Sequence, residues 1–153
     1  MTIQAGDEIF INGEGLELCS SPFDDFLPYL KPYISFEWYL TSCWRGYTAK
    51  WKLADGILFL VELNGDISYQ GEIFSISIDY FFPLSDKVKA WWFTGDLTIP
   101  QGEPYGWYRN IGDVFEEYLL IHIESGIETS RRIKKKKINL ADEELRLYNN
   151  SEA

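Results

Sequence analysis

Few residues of this chain could carry out acid–base or metal chemistry. His122 is the single histidine, and Cys19 and Cys43 are the two cysteines. This inventory excludes a zinc site built from several histidines and any four-cysteine cluster. A nucleophilic Cys43 would need a neighbouring base to form a thiolate, and His122 is the only imidazole available. The sequence therefore predicts no catalytic residue, no metal and no cofactor.

His122 and the cysteines have structural interpretations. His122 lies between Ile121 and Ile123, and we interpret it as a hydrogen-bonded histidine of a sheet. The sequence leaves a Cys19–Cys43 disulfide open, but thiols are favoured in a chain that we expect in the cytoplasm. Trp44 and Arg45 follow Cys43 just before a strand pattern. We expect Trp44 to pack in the core and Arg45 to pair with a carboxylate.

Adjacent carboxylates at 24–25, 116–117 and 143–144 invite comparison with glycosidases. Two catalytic carboxylates must face each other across roughly 5–10 Å. Neighbours on a strand point to opposite faces, and neighbours on a helix diverge by about 100°. A working pair must therefore come from different segments. We interpret these carboxylates as solvated charges and keep a small hydrolase as an alternative.

The densest aromatic stretch runs from residue 90 to residue 102 and contains Trp91 and Trp92. If this stretch is a strand, the two indoles face opposite ways. Tyr105 and Trp107 follow it. Two interpretations are open: core packing with a loop anchor, or an exposed aromatic patch. A flat, open patch would favour a carbohydrate-binding β module, because flat rings stack on sugar faces.

The elements that must position these residues are mainly strands. Tyr47, Ala49, Trp51 and Leu53 alternate with polar residues, which is typical of a half-buried strand. Residues 57–63 and 73–80 are predicted as central strands. Further strands are expected at 9–11, 16–18, 95–99, 115–123 and 127–133. Tight turns are predicted at 12–15, 54–56, 64–65 and 125–126.

Two helices complete the prediction, at 22–30 and 140–148. Strands joined by tight turns favour antiparallel pairing. We predict a mostly β (β-rich α+β) fold with a single antiparallel sheet system, as a meander, sandwich or open barrel, and short helices near both ends. A β-rich globular domain covers residues 1–138, and a C-terminal helical tail covers 139–153.

The charge of the chain is unevenly distributed. The net charge is −10, but residues 1–130 hold 20 acidic and 7 basic side chains, whereas residues 131–153 hold 7 basic and 4 acidic ones. A body with a charge of −13 is repelled by phosphate backbones and anionic lipids. We therefore expect neither nucleic-acid nor membrane binding, and we interpret the basic run 131–137 as a solvated strand end. No window approaches the ~18 apolar residues of a membrane helix, and residues 1–10 predict no signal peptide.

Two segments carry a resemblance to a known family. Residues 42–47 read Ser-Cys-Trp-Arg-Gly-Tyr, and residues 92–102 read Trp-Phe-Thr-Gly-Asp-Leu-Thr-Ile-Pro-Gln-Gly. Together they resemble a family of small, acidic bacterial proteins, and the resemblance implies no catalytic residues. In general type, a compact, acidic, aromatic-rich β protein is also similar to bacterial toxin-immunity proteins.

These observations predict a cytoplasmic, non-enzymatic protein that binds another protein, such as a basic, nuclease-like toxin. Nucleases carry basic surfaces because their substrate is a polyanion, and an acidic body can imitate that substrate. The chain holds six Trp, ten Tyr and ten Phe, and exposed Trp and Tyr would anchor the interface. The candidate partner-binding residues are Asp24, Asp25, Trp44, Arg45, Trp92, Asp96, Glu103, Tyr105 and Trp107.

Overall fold

The computed structural model describes residues 6–30, 35–37, 46–104, 106–108 and 112–135. Within these residues the chain forms twelve strands, one 3₁₀ helix and one single-turn α-helix. The helices are the 3₁₀ helix Pro22–Tyr29 and α1 (Ile78–Phe81). The strands are β1 (Asp7–Ile11), β2 (Glu14–Leu18), β3 (Ser35–Glu37), β4 (Tyr47–Ala54), β5 (Ile57–Tyr69), β6 (Glu72–Ser77), β7 (Val88–Lys89), β8 (Gly95–Gln101), β9 (Gly106–Tyr108), β10 (Gly112–Val114), β11 (Glu117–Glu124) and β12 (Ile127–Lys135).

Ten of these strands form one mixed sheet, which confirms the β-rich fold class. The strand order is β2-β1-β4-β5-β12-β11-β8, while β3, β6 and β7 also pair with β5. All pairs are antiparallel except β1–β4, which is parallel, so the sheet is not purely antiparallel. The backbone N–H of Cys19, just after β2, donates to the Thr98 carbonyl of β8 at 2.9 Å. The two ends of the sheet therefore approach each other, although the sheet is not closed.

Four hairpins have two-residue loops. In each loop a residue at positive φ is followed by a glycine that is also at positive φ. At Asn12-Gly13 the φ angles are 52° and 79°, and at Asp55-Gly56 they are 53° and 73°. Two positive φ angles give the turn a twist that matches the flanking strands. The turns predicted at 12–15, 54–56 and 125–126 are confirmed.

The turn predicted at Asn64-Gly65 is wrong, because β5 runs straight through both residues to Tyr69. A Cβ atom at Gly65 would lie 2.7 Å from the Gly46 carbonyl oxygen and 2.9 Å from the Phe36 ring. The glycine is needed here for close approach between neighbouring segments, and it makes no turn.

The second predicted central strand is shorter than expected and is not central, because β6 pairs with β5 alone among the described strands. β6 ends at Ser77, and α1 occupies the last part of the predicted strand 73–80. Ile78 and Phe81, three residues apart, both pack against the core, which a helical turn allows and a strand does not. The predicted helix at 22–30 is found as the 3₁₀ helix. The predicted terminal helix at 140–148, and with it the tail 139–153, lies outside the described residues.

The core lies on the inward faces of the sheet strands. Tyr47, Ala49, Trp51 and Leu53 are all buried, as their alternation predicted. Trp51 is fully buried, and its Nε1 donates to Oδ2 of Asp7 at 2.8 Å. Asp7, 4% exposed, is the buried charged residue of the described chain. No helix of the described residues is long and apolar enough to cross a membrane.

Candidate functional site

Eleven aromatic side chains form one continuous network of ring contacts, which we call the aromatic cluster. It joins the 3₁₀ helix, α1, the turn at Trp91-Trp92 and the inner face of β4. Its deepest member is Trp51, 6.4 Å from Trp92 between ring centroids. The members are Phe23, Phe26, Tyr29, Phe36, Tyr47, Trp51, Tyr80, Phe81, Phe82, Trp91 and Trp92.

Trp91 and Trp92 are neighbours with different surroundings. They lie in a turn closed by the Phe93 N–H, which donates to the Ala90 carbonyl at 3.0 Å. Trp92 is 9% exposed, stacks on Phe82 at 5.7 Å and donates from Nε1 to the Pro22 carbonyl at 3.0 Å. Trp91 is 48% exposed. Trp92, a predicted partner-binding residue, is therefore a core residue, and Trp91 is the ring that reaches the surface.

Tyr29 and Trp91 form the exposed end of the aromatic cluster, which we call the Tyr29–Trp91 surface. Their centroids lie 5.3 Å apart with the planes crossing at 69°, and Tyr29 is 63% exposed. Phe26 lies beneath both rings, at 5.7 Å from Tyr29 and 6.2 Å from Trp91. These two large aromatic side chains contact each other and solvent, and they form the candidate binding surface of the aromatic cluster.

The two carboxylates of the 3₁₀ helix have different roles. The Asp24 carboxylate accepts a short hydrogen bond from the hydroxyl of Tyr47, a residue that is 1% exposed. Asp24 thus satisfies a buried hydroxyl of the aromatic cluster. Asp25 is exposed and has no hydrogen-bond or ion-pair partner among the described residues. In a 3₁₀ helix side chains three residues apart share a face, so Phe26 lies under Tyr29 and Asp25 projects from a different face of the helix.

Asp96 lies at the centre of a polar group on β8, β11 and β12. Its Oδ1 accepts from His122 Nδ1 at 2.9 Å, and its Oδ2 accepts from an Arg132 guanidinium nitrogen at 2.9 Å. The hydrogen bond from His122, followed by the hydrogen bond and charge of Arg132, holds the pKa of Asp96 below its ordinary value. Asp96 is therefore ionised at neutral pH. His122 is hydrogen-bonded on the sheet, as we expected, with its second nitrogen 3.6 Å from Glu124.

The remaining predicted site residues are placed as follows. Glu103 is exposed in the segment after β8 and has no partner among the described residues. Trp44, Arg45 and Tyr105 lie outside the described residues, as does the side chain of Trp107, whose backbone belongs to β9. Among the described residues, no hydrogen bond, ion pair or ring contact joins two of the nine candidates, and only Asp24 and Asp25 are neighbours, by sequence. Sequence reasoning did not select Tyr29 or Arg132 as site residues. The apolar spacing of the predicted helix and the basic run 131–137 indicated only the segments in which these residues lie.

No group of three or more potential metal ligands occurs among the residues that the structure describes. The ring nitrogens of His122 face two carboxylates in this part of the chain. No protein-family model, curated protein or solved structure matches the chain. The candidate site therefore rests on geometry and charge.

Proposed function

We propose that this protein is a non-enzymatic protein-binding protein, and that it acts as an immunity protein that neutralises a basic, nuclease-like toxin. The observation that carries the proposal is the Tyr29–Trp91 surface, where two contacting rings are 63% and 48% exposed. Aromatic anchors on an acidic body suit a partner with a cationic, partly apolar face.

The charge of the body supports the same kind of partner. Residues 1–130 carry a net charge of −13. Such a field accelerates association with a basic protein and repels acidic competitors. Burial of Trp91 and Tyr29 would then supply the short-range energy that slows dissociation, since interface energy concentrates in a few Trp, Tyr and Arg residues.

Ring geometry favours a protein partner over a sugar. A sugar-binding platform needs flat, coplanar rings, but Trp92 is buried and the planes of Tyr29 and Trp91 cross at 69°. The small-hydrolase alternative needs a carboxylic acid with a raised pKa, and the pKa of Asp96 is lowered.

The experiment is affinity capture from the native cell with the wild-type protein and two matched variants, identified by mass spectrometry. Trp91→Ala removes the exposed anchor, and Glu72→Gln removes one exposed charge of β6 that is not among the candidate partner-binding residues. We expect a basic protein that the wild type and Glu72→Gln recover equally and that Trp91→Ala recovers at least about tenfold less. Recovery of no basic protein, or of one that Trp91→Ala retains fully, would contradict the proposal.

A further inference from the structure

A pocket of about 240 Å³ opens on the outer face of the three neighbouring strands β8, β11 and β12. The strand register brings its walls together: Leu120 lies between Thr98 and Arg132, and Tyr118 lies opposite Lys134. Among the described residues the lining consists of Asp96, Thr98, Tyr118, Leu120, Arg132 and Lys134.

The floor of this pocket is apolar. Leu120 is 6% exposed yet lies on the strand face opposite to Ile121, which belongs to the main core. Tyr118 stands beside it and makes an edge contact with Phe115, at 6.1 Å between ring centroids. A ligand that reached the floor would therefore contact a leucine side chain and a phenol ring.

The polar walls carry more positive than negative charge. Asp96 contributes the one negative charge of the lining among the described residues, and each of its oxygens accepts a hydrogen bond from a separate donor, His122 or Arg132. Arg132 uses one nitrogen on Asp96, and a guanidinium has five N–H donors, so most of its donors stay available. Lys134 has no acidic partner within salt-bridge distance among the described residues. The pocket is thus a local cationic site on an acidic protein.

We propose that this pocket binds a small organic oxyanion, a carboxylate or phosphate that carries an apolar group of about one ring. The Lys134 ammonium and the remaining N–H groups of Arg132 hold the oxyanion, and the Thr98 hydroxyl donates a further hydrogen bond. The apolar group lies on Leu120 beside Tyr118. This site is independent of the proposed protein-binding function.

The size and net charge limit the ligand. The pocket is smaller than the ~300–1,000 Å³ of sites for drug-sized ligands, so it suits one ring and one head group. The negative body of the protein weakens anion binding, but charges farther than a Debye length of about 8 Å are largely screened at physiological salt. We therefore expect dissociation constants in the millimolar range, which correspond to a standard binding free energy of about −4 kcal/mol.

The test is a titration of the ¹⁵N-labelled full chain with phenyl phosphate, benzoate and inorganic phosphate, followed by amide chemical shifts. Lys134→Gln and Lys135→Gln change the net charge equally, but Lys135 points to the other strand face and pairs with Glu117 at 3.6 Å. We expect saturable shifts around residues 96–98, 118–120 and 132–134 with at least one ring-bearing anion. Lys134→Gln should weaken that binding about tenfold and Lys135→Gln less than about twofold.

Three results would overturn the inference. The first is that neither ring-bearing anion gives saturable shifts. The second is that both lysine variants weaken binding equally, as diffuse electrostatic attraction would require. The third is that inorganic phosphate binds as tightly as phenyl phosphate, since the Leu120 floor would then contribute nothing. The relative affinity of phenyl phosphate and benzoate identifies which oxyanion the site prefers.

Discussion

The Tyr29–Trp91 surface and the pocket between β8, β11 and β12 are built in opposite ways. The pocket is lined by Arg132 and Lys134, and we call it the Arg132–Lys134 pocket. The first belongs to irregular segments, a 3₁₀ helix and a turn, which ring contacts across long sequence separations hold together. The second is a product of strand register, in which three regular strands align Asp96, Leu120 and Arg132. The first presents apolar rings, and the second presents cationic groups.

This difference shows how one small protein keeps an apolar aromatic surface and a cationic pocket in separate parts of its fold. Side chains on regular strands are aimed by the twofold alternation of the backbone, so the polar face tolerates substitution of any one member. The aromatic cluster depends on mutual packing, and the loss of one buried ring leaves its neighbours without contacts. Stability should therefore be concentrated in the aromatic cluster.

The largest effect is expected from the adjacent tryptophans of that cluster. Trp92→Ala should lower the free energy of unfolding by about 3–5 kcal/mol, because it removes a buried ring and leaves a cavity. Trp91→Ala should cost no more than about 1.5 kcal/mol, since about half of that ring is already in solvent. Urea unfolding of both variants measures the difference. Equal losses would show that the two rings are not buried differently.

The next effect concerns the two carboxylates of the 3₁₀ helix. Asp24→Ala leaves the buried Tyr47 hydroxyl without its acceptor and should cost about 1–3 kcal/mol. Asp24→Asn keeps an acceptor oxygen and should cost less, and Asp25→Ala should stay within about 0.5 kcal/mol. Thermal or urea unfolding compares the three. If Asp25→Ala destabilises as much as Asp24→Ala, the structural role given to Asp24 is wrong.

Apart from the Asp25→Ala control, the smallest stability effect is expected on the polar face. Asp96→Asn should cost about 1 kcal/mol or less at neutral pH, because the pair is partly exposed. The folded-state pKa of Asp96 lies below its ordinary value of 3.8. Its stabilisation is therefore complete above that value and is lost as pH falls through the folded-state pKa. The difference in unfolding free energy between wild type and Asp96→Asn should shrink as the solution is acidified below about pH 4.

Glu103→Gln is the control for that pH series, because Glu103 is an exposed carboxylate without a partner among the described residues. A difference between wild type and Asp96→Asn that grows on acidification would contradict the ionised, hydrogen-bonded state of Asp96.

Local sequence patterns predicted most of the strands and hairpin turns of the sheet. The buried face of β4 followed from alternation, and the hairpins at Asn12-Gly13 and Ser125-Gly126 followed from turn chemistry. Asn64-Gly65 has the same dipeptide signal but no turn, because Gly65 serves a close contact with Gly46 and Phe36. That contact joins residues distant in sequence, and a local pattern carries no information about it.

The candidate sites were predictable only in part, for the same reason. Strands at 95–99, 115–123 and 127–133 were expected, yet the meeting of Asp96, His122 and Arg132 depends on register between them. The sequence left open which of Trp91 and Trp92 is exposed and listed Trp92 as a partner-binding candidate, whereas the structure exposes Trp91. The pair lies in a turn, where twofold alternation does not apply. Tyr29 forms the exposed surface through its contact with Trp91, 62 positions away, which no local pattern indicates.

The most direct test of the proposed function is the association rate of the captured basic protein with the full chain, measured by stopped flow over a range of salt. Steered association should slow by at least about tenfold between low salt and about 0.5 M salt. Trp91→Ala should leave the association rate within about threefold and raise the dissociation rate by at least about tenfold. An association rate indifferent to salt, or a dissociation rate unchanged by Trp91→Ala, would contradict electrostatic capping through the Tyr29–Trp91 surface.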